Sequence, residues 1–424
     1  MNKMILKNGH IFSPADNLDG RFDILIVDGK IAEVSPRIEL EGAKVLDLGG
    51  YTVFPGFIDL HAHFREPGFE YKEDIGSGSR AAVAGGYTTV LVMPNTEPPV
   101  DSPEMVEYIL KRAKEVGLAN IYPVGAITKG RAGSELADLK LMKEMGAVGF
   151  SDDGDWVSNS AVMRRALEYE GPIITHAEDK TLSPGGIMNE SRLSYELGIK
   201  GIPPQAEEIA VSRDILLAEL TGGRLHIAHI SSRGSLFFLE YAKKKNLRVT
   251  AEVTPHHLIF NEEVMRSYDP VFKVNPPLRT EEDREALISA LKEGLIDAIA
   301  TDHAPHASFE KEFDLNQAPF GILGLETAFS SLYTKLVKTG ELSLETVILA
   351  LTAKPAEIFG FSGKGRIKKG YDADLCIWKL DEKWKVTKDN LHSKSSNTPF
   401  LGEELYAKIK YTIVGGKVID PEKL

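Results

Sequence analysis

Two histidines close a short apolar run in the segment DLHAHFREPG, residues 59 to 68. His61 and His63 are two positions apart, so in a β-strand both side chains project from the same face. Imidazole nitrogens at this spacing can bind one divalent cation. Paired histidines also occur as ordinary buried or turn residues, and this segment alone leaves both interpretations open.

Other apolar runs also end in residues that can ligate a metal or carry a proton. These residues are Asn95 after YTTVLVM, Asp152 and Asp153 in GFSDDGDW, His176 in PIITH, His229 in RLHIAHI and Asp302 in IDAIATD. Buried imidazoles and carboxylates without partners are costly, so packing alone does not explain this repetition. We therefore predict a metal centre built from the four histidines and two of the aspartates.

Neutral imidazoles and carboxylates suit Zn²⁺ or a similar first-row divalent ion. Four histidines and two aspartates exceed one tetrahedral shell, which indicates two cations that share a carboxylate. A water between them would have its pKa lowered from about 15.7 to about 7, so the predicted chemistry is metal-assisted hydrolysis. The acids of GFSDDGDW supply the candidate bridge, although Asp152 and Asp153 could instead cap an Asp-Gly turn.

Further polar residues follow the same runs. Asp302 could take a proton from an activated water and pass it to a leaving nitrogen, and His306 either meets the substrate or caps a loop. Arg65 could clamp a substrate carboxylate with its guanidinium fork or pair with a surface acid. Asn95 and Asn275 could donate to a substrate carbonyl or serve only as turn residues beside proline.

The elements that must position these residues alternate in type between residues 55 and 360. Amphipathic stretches such as SPEMVEYILKRAKEVG separate eight apolar runs that we interpret as strands. The runs are GFIDLHAH, YTTVLVM, NIYPVGA, AVGFS, PIITH, RLHIAHI, RVTAEVTP and IDAIATD. This alternation predicts an α/β fold with a (β/α)8 barrel, whose working residues lie at the carboxyl ends of the strands. A doubly wound open sheet is the alternative.

The two ends of the chain share a sequence pattern that differs from that of residues 55–360. Both ends have short strand-like runs and Asp-Gly or Gly-Gly turns. We predict that residues 1–54 and 361–424 form one composite small β-sandwich domain beside a barrel domain of residues 55–360.

The charge of the chain narrows the class of partner. It has 50 basic and 62 acidic residues, a net charge of −12 and no basic block, which argues against nucleic-acid or anionic-membrane binding and favours a small molecule. Without a signal peptide or a long apolar run, we expect a cytoplasmic protein. The single Cys376 is expected to be a buried core thiol.

Several motifs are similar to those of the amidohydrolase superfamily and, within it, the dihydroorotase family of cyclic amidohydrolases. The segments DLHAHFREPG and ATDHAPHASFEK resemble the two family signatures, and MPNTEPP, AHISS, EVTPHH and NPPLR resemble its other blocks. The likeness covers nearly the whole chain. It implies reversible hydrolysis of dihydroorotate to N-carbamoyl-L-aspartate in pyrimidine biosynthesis.

The resemblance also implies a role for each site residue. His61, His63 and Asp302 would hold one Zn²⁺, His176 and His229 a second, and Asp153 would bridge them, with Asp302 as the catalytic proton carrier. The predicted substrate-binding residues are Arg65, Asn95, Asn275, His306, Phe320 and Gly321. Many relatives bridge their metals with a carboxylated lysine, whereas GAVGFSDDG has only aspartates, so the bridge is either Asp153 or its neighbour Asp152.

Two other functions are weighed against this one. A hydantoinase or allantoinase would need no Arg65 clamp because its substrate carries no matching acid. A non-catalytic scaffold of aspartate carbamoyltransferase would be expected to lose ligands, yet every ligand position is filled. An intact site could still depend on a partner to order its loops. A homodimer and a complex with aspartate carbamoyltransferase are both compatible with the resemblance.

Overall fold

The computed structural model describes residues 3–424 of the chain. Within this range the chain forms seventeen strands: β1 (Lys3–Ser13), β2 (Leu18–Val27), β3 (Lys30–Ser35), β4 (Lys44–Asp47), β5 (Thr52–Pro55), β6 (Phe57–Ala62), β7 (Tyr87–Val92), β8 (Asn120–Pro123), β9 (Pro172–Thr175), β10 (Met188–Asn189), β11 (Gly201–Ile202), β12 (Arg224–Ile227), β13 (Val249–Val253), β14 (Ala298–Ile299), β15 (Leu375–Lys385), β16 (Glu404–Val414) and β17 (Lys417–Ile419).

Thirteen α-helices lie in the same described range: α1 (Ile75–Ala84), α2 (Pro103–Val116), α3 (Leu139–Met145), α4 (Ser160–Leu167), α5 (Arg192–Leu197), α6 (Pro204–Thr221), α7 (Arg233–Lys244), α8 (Pro255–Ile259), α9 (Glu281–Lys292), α10 (Ser308–Lys311), α11 (Ala328–Leu332), α12 (Leu344–Leu351) and α13 (Ala353–Phe359).

Parallel segments close into a barrel between β6 and β14. Strands β6, β7 and β8 pair in sequence order, and β9, β12, β13 and β14 form a second parallel group. Phe150 bridges Gly125 on one side and Ile173 on the other, which joins the two groups. Ala62 pairs with His303, which completes the ring. The predicted (β/α)8 barrel is therefore confirmed, and the open sheet is excluded.

The predicted fourth strand, AVGFS, is reduced to the single bridging residue Phe150. Proline has no N–H to donate to a strand ladder. The neighbouring segments place Pro123 and Pro172 beside it, and each contributes only its carbonyl, which accepts from Val148 N and Phe150 N respectively. Pairing is thus present on both sides but too interrupted for a regular strand.

Two of the helices around the barrel have clear start or stop signals in the sequence. Helix α2 starts at Pro103 and stops at Gly117, which has the left-handed backbone that favours glycine. Helix α9 starts with a capping box between Thr280 and Asp283, which satisfies free N–H groups of its first turn. Helix α2 packs against β8, and α9 packs against α7 and α8.

Strands from the two ends of the chain share one eight-stranded sheet. Its order is β17-β16-β15-β5-β1-β2-β3, with β4 paired to β1. Cys376 lies in β15 and is fully buried, as the sequence predicted. Across residues 3–424, every helix is too short or too polar to pass through a membrane.

Candidate active site

A cavity of about 410 Å³ lies over the carboxyl ends of the barrel strands. Its lining includes most of the residues predicted from the strand ends and the loops that follow them. These are His63, Arg65, Asn95, Asp153, His176, His229, Asn275, Asp302, His306, Phe320 and Gly321. His61 lies beneath them and is fully buried. Segments far apart in sequence therefore converge on one site, as a barrel predicts.

Asp153 lies at the centre of the four histidines. Its Oδ1 is 3.3 Å from His61 Nε2, 3.6 Å from His176 Nδ1 and 3.5 Å from His229 Nε2. Its Oδ2 is 3.5 Å from His63 Nε2. One carboxylate thus faces both the first histidine pair and the second, which is the arrangement a shared ligand requires.

Asp302 also lies beside the first histidine pair, His61 and His63. Its Oδ1 is 3.1 Å from His63 Nε2 and 3.6 Å from His61 Nε2. Ligand atoms of His61, His63 and Asp302 lie within 4.8 Å of one another, as do those of His61, Asp153 and His229. These two groups could each hold a metal ion.

The donor set fits divalent cations. His61 Nε2 and Asp153 Oδ1 are buried, and neither has a hydrogen-bond partner among residues 3–424. Buried polar atoms are rarely left unpaired, so both atoms are suited to bind a positively charged group such as a cation. Nitrogen and carboxylate oxygen donors are the ligands of first-row divalent ions.

The two carboxyls of the cluster are ionised. Burial opposes ionisation of Asp153, but the surrounding imidazoles of His61, His176 and His229 favour the charged carboxylate and hold the pKa of Asp153 well below its usual range. Burial also opposes ionisation of Asp302, and its hydrogen bond with His63 and the charge of His61 lower the pKa of that carboxyl. Both groups are therefore anionic at neutral pH.

The second nitrogen of three histidines is held by a side chain outside the cluster. Asn95 Oδ1 lies 2.8 Å from His63 Nδ1. Glu252 Oε1 lies 3.0 Å from His61 Nδ1, and Glu178 Oε2 lies 3.3 Å from His176 Nε2. Each acceptor fixes the proton on the nitrogen it faces, which leaves the lone pair of the other nitrogen for the cluster.

Glu252→Gln should weaken metal binding by about 10- to 100-fold. The amide keeps the shape of the side chain but removes the negative charge that makes His61 a better donor. Chelator competition with Zn²⁺ measures the affinity without relying on turnover. Glu240→Gln, on the exposed face of α7, is the matched control and should leave the affinity unchanged. Equal affinities for the two variants would contradict the role of Glu252.

Arg65 reaches the cavity by a route that strand alternation does not predict. It lies beyond the end of β6 with a φ of 62°, in the left-handed region that non-glycine residues seldom adopt. Its Nε donates to Pro305 O at 3.2 Å. The surface pairs considered from sequence are not formed, because Glu66 binds Arg112 and Glu73 binds Ser77. The guanidinium of Arg65 is half-buried, and within residues 3–424 it forms no ion pair with an acid.

The loop residues predicted to bind substrate also line the cavity. His306 Nε2 lies 2.8 Å from Phe320 O and 3.3 Å from Arg65 Nη2. Burial and the charge of Arg65 lower the pKa of His306 to about 2, so its imidazole is neutral. Asn275 Nδ2 donates to Glu178 Oε2 at 2.8 Å. A Cβ at residue 321 would approach Ala304 Cβ to 2.6 Å, so only glycine fits there.

Asp152 points away from the histidines. Its Oδ1 accepts from Ile127 N at 2.8 Å and Thr128 N at 3.0 Å, and its Oδ2 accepts from the Thr128 hydroxyl. The turn-capping role weighed for both acids of GFSDDGDW thus applies to Asp152. Between the two candidates for the bridge, only Asp153 faces the cluster.

Comparison with known proteins identifies the family of this chain. The model of the amidohydrolase family matches residues 52–419. The chain belongs to the amidohydrolase family. This amidohydrolase is 47% identical to the dihydroorotase of Carboxydothermus hydrogenoformans, over 98% of this chain and 97% of that relative. It is also 47% identical to the dihydroorotase of Aquifex aeolicus, over 99% of both chains.

The architecture of the amidohydrolase also matches a solved structure. An L-hydantoinase (dihydropyrimidinase) from Arthrobacter aurescens superposes with a TM-score of 0.87 at 28% identity, covering 99% of this chain and 96% of that one. The shared fold includes both the barrel and the β-sandwich domain.

Sequence reasoning missed Glu252, Glu178 and the role of His226. His226 Nε2 lies 3.0 Å from Oε2 of Glu252, the carboxylate whose other oxygen faces His61. His229 has a φ of 33°, so the regular strand geometry ends before it. Glu178 could have been found from sequence because it lies two residues after His176, whereas Glu252 sits inside the run TAEV and gives no local signal.

Proposed function

We propose that this amidohydrolase catalyses the reversible hydrolysis of dihydroorotate to N-carbamoyl-L-aspartate, in pyrimidine biosynthesis. The observation that supports this substrate is the position of Arg65. Its guanidinium lines the cavity beside the His/Asp cluster and has no carboxylate partner in the described part of the chain, residues 3–424. Dihydroorotate has one carboxylate, which Arg65 can bind in bidentate fashion. Full-length identity of 47% to dihydroorotases supports the same assignment.

Two Zn²⁺ ions are the proposed cofactors. His61, His63 and Asp302 would hold one, His176 and His229 the other, and Asp153 both. A bound divalent cation polarises the amide carbonyl and lowers the pKa of water. The pairs of ligands on either side of Asp153 support a count of two.

Asp302 is the proposed proton carrier. Its carboxylate is ionised and lies at the cavity surface, so it can accept a proton from the attacking water. As water adds to the ring carbonyl carbon, the carbon–nitrogen bond breaks, and Asp302 returns the proton to the departing nitrogen. Ring closure uses the same groups in reverse order.

Arg65, Asn95 and His306 are proposed to bind the substrate carboxylate, and Asn275 to face the ring. Asn95 Oδ1 is already occupied by His63, which leaves its Nδ2 for a substrate oxygen. Phe320 and Gly321 would complete the pocket through their main chain. Binding by several donors fixes the ring so that one face meets the cluster.

The testing experiment measures two quantities on one purified sample. Elemental analysis gives the metal content, and ultraviolet absorbance follows ring opening of dihydroorotate, with hydantoin and allantoin as comparison substrates. We expect two zinc per chain and turnover of dihydroorotate alone. Preference for hydantoin or allantoin would favour the hydantoinase function, which the fold of the Arthrobacter aurescens enzyme makes the relevant rival. Full metal content without any turnover would favour a partner-dependent or non-catalytic scaffold.

A further inference from the structure

The segment from His306 to Gly321 forms one wall of the cavity. It begins and ends at proposed substrate-binding residues, and His306 Nε2 contacts Phe320 O at 2.8 Å. The end of the segment is tied to the neighbouring loop because Gly321 N donates to Lys273 O at 2.9 Å. The position of this wall therefore depends on contacts with residues 270–273.

Two lysines, the buried Lys273 and the half-buried Lys311, hold the segment against that loop. Lys311 Nζ donates to Pro319 O at 2.7 Å, Pro270 O at 3.0 Å and Lys273 O at 3.4 Å. Lys273 Nζ donates in the opposite direction, to Leu315 O at 2.8 Å and Asn316 O at 3.1 Å, and lies 4.7 Å from the centre of the Phe320 ring.

The acceptors around both lysines are main-chain carbonyls. Among residues 3–424 neither ammonium group forms an ion pair, although buried lysines are normally paired with acids. Carbonyl acceptors on both the loop and the segment mean that Lys311 links two pieces of backbone. A lysine that only filled space would not need three oxygens from two chain segments.

We propose that Lys311 is a positioning residue whose ammonium group keeps the segment 308–320 docked on Pro270 and Lys273, so that His306 and the Phe320 carbonyl stay in the substrate cavity. This inference rests on the proposed function for its effect on substrate binding. It extends that function by assigning a residue that lies outside the cavity lining.

Lys311→Met tests the role of the ammonium group on the full-length metal-loaded protein. We expect hydrogen exchange of a peptide covering 306–321 to accelerate at least tenfold and KM for dihydroorotate to rise at least tenfold. The value of kcat should change less than threefold, and the metal content should stay the same.

Two controls separate positioning from general destabilisation. Lys338→Met removes an exposed ammonium that lies over the Tyr406 ring, and it should leave both KM and exchange unchanged. Lys311→Cys followed by aminoethylation restores an ammonium at the same place, since Cys376 is fully buried and protected from the reagent. Recovery of the wild-type KM after alkylation would support the proposal.

Wild-type exchange rates in Lys311→Met would overturn the proposal, as would a variant that loses kcat and stability with KM unchanged. If the wild type does not open dihydroorotate, the proposed function fails, and the exchange comparison alone then decides the role of Lys311.

Discussion

Asp302→Asn should lower kcat about a thousandfold or more in both directions of the reaction. The amide cannot accept a proton from the attacking water, and it offers a weaker oxygen donor toward His61 and His63. Because the equilibrium constant is a property of the substrates, ring opening and ring closure must lose the same factor in kcat/KM. Absorbance assays started from dihydroorotate and from N-carbamoyl-L-aspartate give the two values.

Asp155→Asn is the matched control for this prediction. Asp155 is half-exposed and pairs with Arg131 and Lys180 at the cavity rim, so its loss should change kcat less than threefold. Metal analysis of Asp302→Asn should still find the cation held by Asp153, His176 and His229. A variant with full metal content and kcat above a tenth of the wild-type value would contradict the proton-carrier role.

The barrel could be predicted because its strands and helices have separate periodicities. Strands β6 and β7 are buried at every position, so they read as continuous apolar runs rather than alternating ones. The fourth strand was predicted too long because pairing depends on neighbours, and Pro123 and Pro172 are distant in sequence. The boundaries 54/55 and 360/361 between the two domains stay a prediction.

The site was largely predictable at strand ends and less so elsewhere. Five site residues directly follow apolar runs: His61, His63, His176, His229 and Asp302. The barrel brings the carboxyl ends of its strands together, so these residues converge independently of the conformation of the loops. The choice between Asp153 and Asp152 needed the hydrogen bonds of Thr128, which no local pattern reveals.

Backbone conformation explains the remaining differences. Arg65, His229 and Asp302 all have positive φ, at 62°, 33° and 48°, although none is glycine. Such strain is tolerated when surrounding contacts fix it, and it turns side chains in directions that period-two alternation does not give. Arg65 therefore lines the cavity because its backbone turns there, and its role as a carboxylate clamp stays a prediction.

Arg65→Met should raise KM for dihydroorotate about a hundredfold. A bidentate charged contact is worth about 1.5–3 kcal/mol for each hydrogen bond, and about 1.4 kcal/mol corresponds to a factor of ten. Steady-state kinetics with dihydroorotate measure the change. Methionine fills similar volume, so the metal content and folding should be preserved. Arg65→Lys keeps the positive charge but loses the two parallel donors of the guanidinium. Its KM should therefore lie between those of the wild type and Arg65→Met, about tenfold above the wild-type value.

The same variant separates the proposed function from its rival, because hydantoin and allantoin carry no carboxylate for Arg65 to bind. An enzyme evolved for those substrates would keep its turnover in Arg65→Met, whereas a dihydroorotase would lose affinity for its own substrate. Since Arg65 is 3.3 Å from His306 Nε2, removing it also relieves the positive charge that helps to lower the pKa of that imidazole. A pH profile of KM in Arg65→Met should therefore show His306 titrating at a higher pH than in the wild type, while an unchanged KM would remove the basis for assigning an acidic substrate.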